Sequence, residues 1–96
     1  MEFLIKRTDG EWFDLHKRQF PEALIPSSFP SKPVEGCGDY TIEISGCQIS
    51  FSYEDPGIQV CFENGILSDE EVLTIVGQIA DNISKVTGQQ ARVIPV

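Results

Sequence analysis

Beyond position 38 this chain is short of basic residues. Residues 39–96 hold Lys85 and Arg92 against nine carboxylates, a net of −7, whereas residues 1–38 hold five basic residues against six carboxylates, a net of −1. A field of that sign repels nucleic acid and anionic lipid and speeds encounter with cationic proteins. Neither nucleic acid nor membrane is therefore expected as a partner, and a basic protein is. Histidine is reduced to His16, set just before Lys17-Arg18 in what reads as a surface position. Cysteine is limited to Cys37, Cys47 and Cys61, odd in number, far apart and without a Cys-x-x-Cys pair. That spacing excludes a disulfide framework and a zinc site, and points to reduced thiols and a cytoplasmic location. No apolar run approaches the ~20 residues of a membrane span. Residues 1–7 open with Glu2 where a secretory leader needs basic residues, so no signal peptide is expected.

These shortages leave little for covalent chemistry. A nucleophile needs a base within hydrogen-bond reach, and nothing local couples His16 to Cys37, the cysteine between two glycines and the one expected to be most exposed. Cys47 reads as a turn residue and Cys61 as a residue on the polar face of a strand. The carboxylates come in two groups, Glu54-Asp55 in one turn and Asp69-Glu70-Glu71 at one helix start, rather than facing each other across a cleft. No EF-hand spacing is present for a calcium site built from Asp55 and Asp69, and Gly36-Cys37-Gly38 is too short to cradle a phosphate. The expectation is a protein that is not an enzyme, with no catalytic residues, no metal and no cofactor.

What is present is a strong pattern. Ninety-six residues with 41% apolar content suit one domain with one core. Segments 40–46, 47–53 and 58–62 alternate apolar and polar. With Gly46-Cys47 as a type II′ loop, Ser45 pairs with Gln48, Ile42 with Phe51 and Tyr40 with Tyr53. With Glu54-Asp55-Pro56-Gly57 as a four-residue turn, Tyr53 pairs with Ile58, Phe51 with Val60 and Ile49 with Phe62. Both turns give one inward set, and a one-residue slip would expose it all. The other face carries Thr41, Glu43, Gln48, Ser50, Ser52, Gln59, Cys61 and Glu63, a flat polar surface with no lysine.

Asn64-Gly65 closes the meander of 40–63, and Ser68-Asp69-Glu70-Glu71 is a capping box opening a helix over 68–87. Val72, Ile75 or Val76, Ile79, Ile83 and Val86 form its apolar stripe, and Gly88 supplies the C-terminal stop. Gly77, inside the helix, suggests close backbone contact. A short strand over 91–95 follows, kept at or near an edge by Pro95. It lies either beside 58–62, as a parallel crossover, or beside the first hairpin. That hairpin is expected over 2–15, with Asp9-Gly10 as a type I′ turn and Arg7 over the Trp12 ring. Between hairpin and meander, residues 17–38 hold four prolines and the apolar Phe20, Leu24, Ile25, Phe29 and Val34, a segment that wraps the core or binds something.

The expected fold class is thus α+β: a mostly antiparallel sheet of an N-terminal hairpin, a three-stranded meander and a short C-terminal strand, with one long helix packed on one face. The expected function is a non-catalytic interaction module with an acidic face. Candidate contact residues are Glu43, Glu54, Asp55, Glu63, Asp69, Glu70, Trp12 and Phe29. In size, acidity and plan the chain is similar in style to immunity and inhibitor proteins that block toxins or nucleases, with no motif behind the likeness. The alternatives are an assembly subunit, a homodimer burying Phe3, Ile5 and Trp12 between protomers, and a ligand-binding protein or enzyme. This last would have its site under the 17–38 loop, lined by Phe20, Phe29 and Trp12.

Overall fold

The computed structural model describes residues 1–36, 38–54, 57–63 and 66–96, with Glu54 described by its backbone alone. The elements are β1 (Glu2–Arg7), a 3-10 turn (Lys17–Gln19), α1 (Phe20–Leu24), β2 (Lys32–Pro33), β3 (Tyr40–Ile44), β4 (Cys47–Glu54), β5 (Gly57–Phe62), α2 (Asp69–Thr87) and β6 (Ala91–Pro95). The six strands form one sheet in the order β2-β3-β4-β5-β1-β6, and every neighbouring pair is antiparallel. The class is α+β, with α2 as the one long helix on one face.

α2 forms where the capping box is written. Ser68 accepts the Glu71 N–H at 3.1 Å, and the Glu71 carboxylate accepts the Ser68 N–H at 3.0 Å. Gly88 ends the helix with φ +71° and bonds back to the Ser84 carbonyl. Val72, Ile75, Val76, Ile79, Ala80 and Ile83 are buried against the sheet. The opposing inward set, Ile42, Ile44, Ile49, Phe51, Ile58, Val60 and Phe62, is buried as the alternation requires.

The β4–β5 register is the expected one, Tyr53 opposite Ile58 and Ile49 opposite Phe62, and it continues to Glu54 opposite Gly57. The turn residues Asp55 and Pro56, and Asn64-Gly65 at the end of the meander, lie outside the described residues. The β3–β4 register differs from expectation. Ile42 faces Ile49, Tyr40 faces Phe51 and Ile44 faces Cys47. The loop is Ser45-Gly46, with both φ values positive, 51° and 82°, the type I′ geometry that matches strand twist. Every partner moves by two positions, so the inward set survives. Cys47 leaves the turn and becomes a buried core residue instead.

The N-terminal hairpin does not form. The Thr8-Asp9-Gly10 bend is there, but both edges of β1 are taken, one by β5 and one by β6. That pairing sets Phe3 opposite Val60 and Ile5 between Ile58 and Val93, and removes both side chains from water. Residues 11–15 keep their alternation outside the sheet, with Phe13 and Leu15 buried and Trp12 and Asp14 exposed. Phe3 and Ile5 lie inside the protomer's own core, 3% and 0% exposed, so they are not a surface for a second copy. Because β1 lies between them, β5 and β6 run parallel and α2 joins them as a split βαβ unit.

The described part of segment 17–38 packs on the core through residues 20–29. Pro21 sits in the first turn of α1, where a missing N–H costs nothing. Phe20 and Leu24 are buried, and Ile25 and Phe29 pack against the core from its rim. Asn82 donates to the Ile25 carbonyl at 3.0 Å and Gln78 to the Ser28 hydroxyl at 2.8 Å, tying the segment to α2. Gly36 and Gly38 lie close against strand residues of the outer face. A Cβ on Gly36 would stand 2.8 Å from Thr41 Oγ1, and one on Gly38 would stand 2.6 Å from Ser52 Oγ.

Candidate functional site: an acid-edged apolar groove

The outer sheet face is not the flat acidic surface the meander alone implied. Gly36 lies against Thr41 and Gly38 against Ser52 there, and Thr41 and Ser50 are 2% and 7% exposed. The strands added at either side bring bases onto it. Lys32 pairs with Glu43 across β2–β3, with Nζ 3.6 Å from Oε1, and Lys6 lies opposite Arg92 across β1–β6. Lysine is therefore present on this face, in the places that blunt a sheet edge.

The anticipated contact residues are spread out. Glu43 and Glu63 flank Gln48 on the outer face, and Glu63 is half-buried. Asp69 and Glu70 are exposed in the first turn of α2. Trp12 stands 46% exposed at the opposite end of the strands. Phe29 is packed against the core. Asp55 and the Glu54 side chain lie outside the described residues, as does Cys37.

One of these residues, Asp69, belongs to a site that the sequence pattern did not reveal. The start of β1, the end of β6 and the first turns of α2 converge on a groove of about 270 Å³, lined by Met1, Glu2, Phe3, Asp69, Leu73, Pro95 and Val96. Its geometry follows from the pairing. Phe62 donates its N–H to the Met1 carbonyl at 2.9 Å and Val96 donates to the Glu2 carbonyl at 3.1 Å. Phe3 meets Phe62 edge-on at 5.9 Å and floors the groove. Asp69 and Leu73 are four residues apart, so they stand on one face of α2. Met1, Leu73 and Val96 are 58%, 58% and 75% exposed, three of the five large apolar side chains so exposed among the described residues. Two carboxylates edge the groove, and its lining contains no lysine or arginine. The sequence signal was Leu73, which falls off the apolar stripe yet is not polar.

Adding a strand to β6 is not how this groove would be filled. In the β1–β6 ladder, Thr8 donates to the Gln90 carbonyl and Val96 to the Glu2 carbonyl. By antiparallel alternation, residues 91, 93 and 95 then turn their backbone groups to the free edge. Ala91 N–H is already given to Ser84 Oγ at 3.1 Å, and Pro95 has no N–H. Only Val93 keeps a donor there.

Elsewhere the surface offers less. A hollow of about 260 Å³ beside Lys32, Glu43 and Ser45 contains its own ion pair. Beneath the 17–38 segment, the space against Phe20, Asp39 and Tyr53 is about 10 Å³, roughly one water molecule's worth. His16 is exposed, its Nε2 3.5 Å from Asp14 Oδ1. Burial pushes the Cys47 and Cys61 thiols up, with Glu63 adding at Cys47 and Glu2 and Glu63 at Cys61. Neither is an activated thiolate. Among the described residues no cluster of three His, Cys, Asp or Glu side chains could hold a metal ion. No described helix is long and apolar enough to cross a membrane. Neither a family model, nor a curated protein, nor a solved structure matches the chain.

Proposed function

We propose that this protein is a non-catalytic interaction module that docks a basic protein partner in the groove between α2 and the ends of β1 and β6. One observation carries the reading: Met1, Leu73 and Val96 stand exposed together, and the side chains that edge them are the carboxylates of Glu2 and Asp69, with no lysine or arginine in the lining, where the Met1 α-ammonium is turned to the Phe62 carbonyl. Grouped apolar exposure with a polar rim is the usual mark of a protein-binding surface. The carboxylates specify a cationic occupant, which a net charge of −8 would also steer toward the site. An inhibitory or immunity-type role against a basic toxin or nuclease is the form of this reading that the acidity supports. Location in the cytoplasm accords with free thiols at Cys47 and Cys61. A second copy is the poorer occupant, because two acidic grooves face to face repel and both sheet edges are blunted by proline.

Affinity capture on the intact chain, with the Leu73→Asp variant in parallel, tests this. The expected result is a basic protein held by the wild type, released by salt and not held by the variant, and then titrated directly as a purified pair. Equal retention by both chains would overturn the reading. So would a sedimenting homodimer that Leu73→Asp disperses.

A further inference from the structure

At the opposite end of the sheet, Trp12 and Tyr53 form a second surface. Their rings lie 6.2 Å apart at 32°, and both are held from behind. Tyr53 also packs on Phe20 at 6.2 Å and gives its hydroxyl proton to the Leu15 carbonyl at 2.6 Å. The Trp12 carbonyl accepts from Arg7 Nη1 at 2.8 Å, and that guanidinium is also paired with Asp9. Arg7 is thus spent on the backbone and on Asp9 rather than lying over the indole as the sequence suggested. The ring stays 46% exposed.

Two carboxylates flank this pair. Asp14, two residues along a segment whose side chains alternate in and out, lies on the same exposed side as Trp12. Asp39 accepts the Tyr53 N–H on Oδ2 at 2.9 Å, and among the described residues no donor is bonded to its other oxygen. Both raise the Tyr53 phenol's affinity for its proton, behind burial as the main cause. Two bases stand close by: His16, 3.5 Å from Asp14, and Arg7, whose charge is paired with Asp9.

We infer that the Trp12–Tyr53 pair, flanked by Asp14 and Asp39, receives an arginine side chain of a partner protein. A planar guanidinium suits the site better than an ammonium. It lays its face on the indole and turns its N–H groups outward to the carboxylates. The rings are already fixed, so little ordering accompanies binding. The inference rests on the reading of a cationic protein partner, but on residues separate from the groove.

The test titrates N-acetylarginine amide into the intact chain and follows the emission of Trp12, the chain's only tryptophan. The expected response saturates, weakens with salt and is absent for the neutral isostere N-acetylcitrulline amide. Asp14→Asn and Asp39→Asn each weaken it by about two- to fivefold. Asp14 is 75% exposed, so its variant folds even if Asp39→Asn loosens the neighbouring segment. Leu73→Asp leaves this titration unchanged while abolishing groove binding, so the two sites fail separately. A response that never saturates, equal effects of arginine and citrulline amides, or a double Asp→Asn variant that binds as the wild type does would overturn the inference.

Discussion

Tyr53 donates its phenol proton to the main-chain carbonyl of Leu15 at 2.6 Å, across 38 sequence positions. That bond fastens the non-sheet segment 11–15 to the end of β4, and Trp12 packs on the same ring. Tyr53→Phe keeps the ring and removes the donor, leaving a partly buried carbonyl unpaired. A loss of about 1–3 kcal/mol is expected by chemical denaturation, with Trp12 emission moving toward that of a solvated indole. A variant as stable as the parent would show that packing of Phe13 and Leu15 alone holds the segment.

Ser45 occupies the left-handed region with φ 51°, ahead of Gly46 at 82°. Asn-Gly is the preferred pair for this loop, because asparagine tolerates positive φ that serine does not. Ser45→Asn is expected to stabilise the protein by about 0.5–1 kcal/mol, and Ser45→Val to destabilise it by more. Denaturant midpoints for the three chains give the ranking, and the opposite order would return the loop to Gly46-Cys47.

The same loop shows how much of the fold was readable. Whether Ser45-Gly46 or Gly46-Cys47 turns the chain, partners shift by two positions, and strand faces repeat every two residues. The inward set was therefore robust to an error in the turn, while the environment of Cys47 was not. The helix was legible because its signals, Ser68, Glu71 and Gly88, act within a few residues of one another. β1 was legible as a strand but not in its partners, since the bend at Asp9-Gly10 is local and the competition from β5 and β6 is distant. The groove was hidden for the same reason. Met1, Leu73 and Val96 become neighbours only when β1 enters between β5 and β6.

Two glycines separate conformational cost from crowding. Gly77 has nothing within 4 Å of the Cβ it lacks, so the close contact its mid-helix position suggested is not there. Gly77→Ala should stabilise α2 by about 1 kcal/mol. At Gly57 the added carbon would collide with the Ile5 carbonyl oxygen, within the β1–β5 ladder. Gly57→Ala should cost about 1–3 kcal/mol as the strands are forced apart. Thermal melts of the two variants are expected to move in opposite directions, and a shared direction would contradict this packing.

Alkali should weaken this protein through groups that the fold keeps protonated. Tyr40 and Tyr53, the only tyrosines, are both raised above the ordinary 10.0, each chiefly by burial, with Asp39 and Asp14 adding to Tyr53. Cys47 and Cys61 are raised above 9.0, again chiefly by burial. As pH climbs past those ordinary values, the unfolded chain releases its protons first and the native state holds on to more of them. By linkage, the stability these groups contribute is complete below about pH 9 and drains away as pH rises through their folded values. Denaturant midpoints should fall from about pH 9 upward, more steeply past 10. The native phenolate absorbance should emerge above 10.0 and drop back toward that value on unfolding. Asp14→Asn with Asp39→Asn should bring the Tyr53 step partway down without moving that of Tyr40, because burial is the only cause at Tyr40. A flat stability profile into alkali, or native phenolates appearing at the ordinary value, would mean that water reaches both rings and that the pair at the Trp12 end is not held as described.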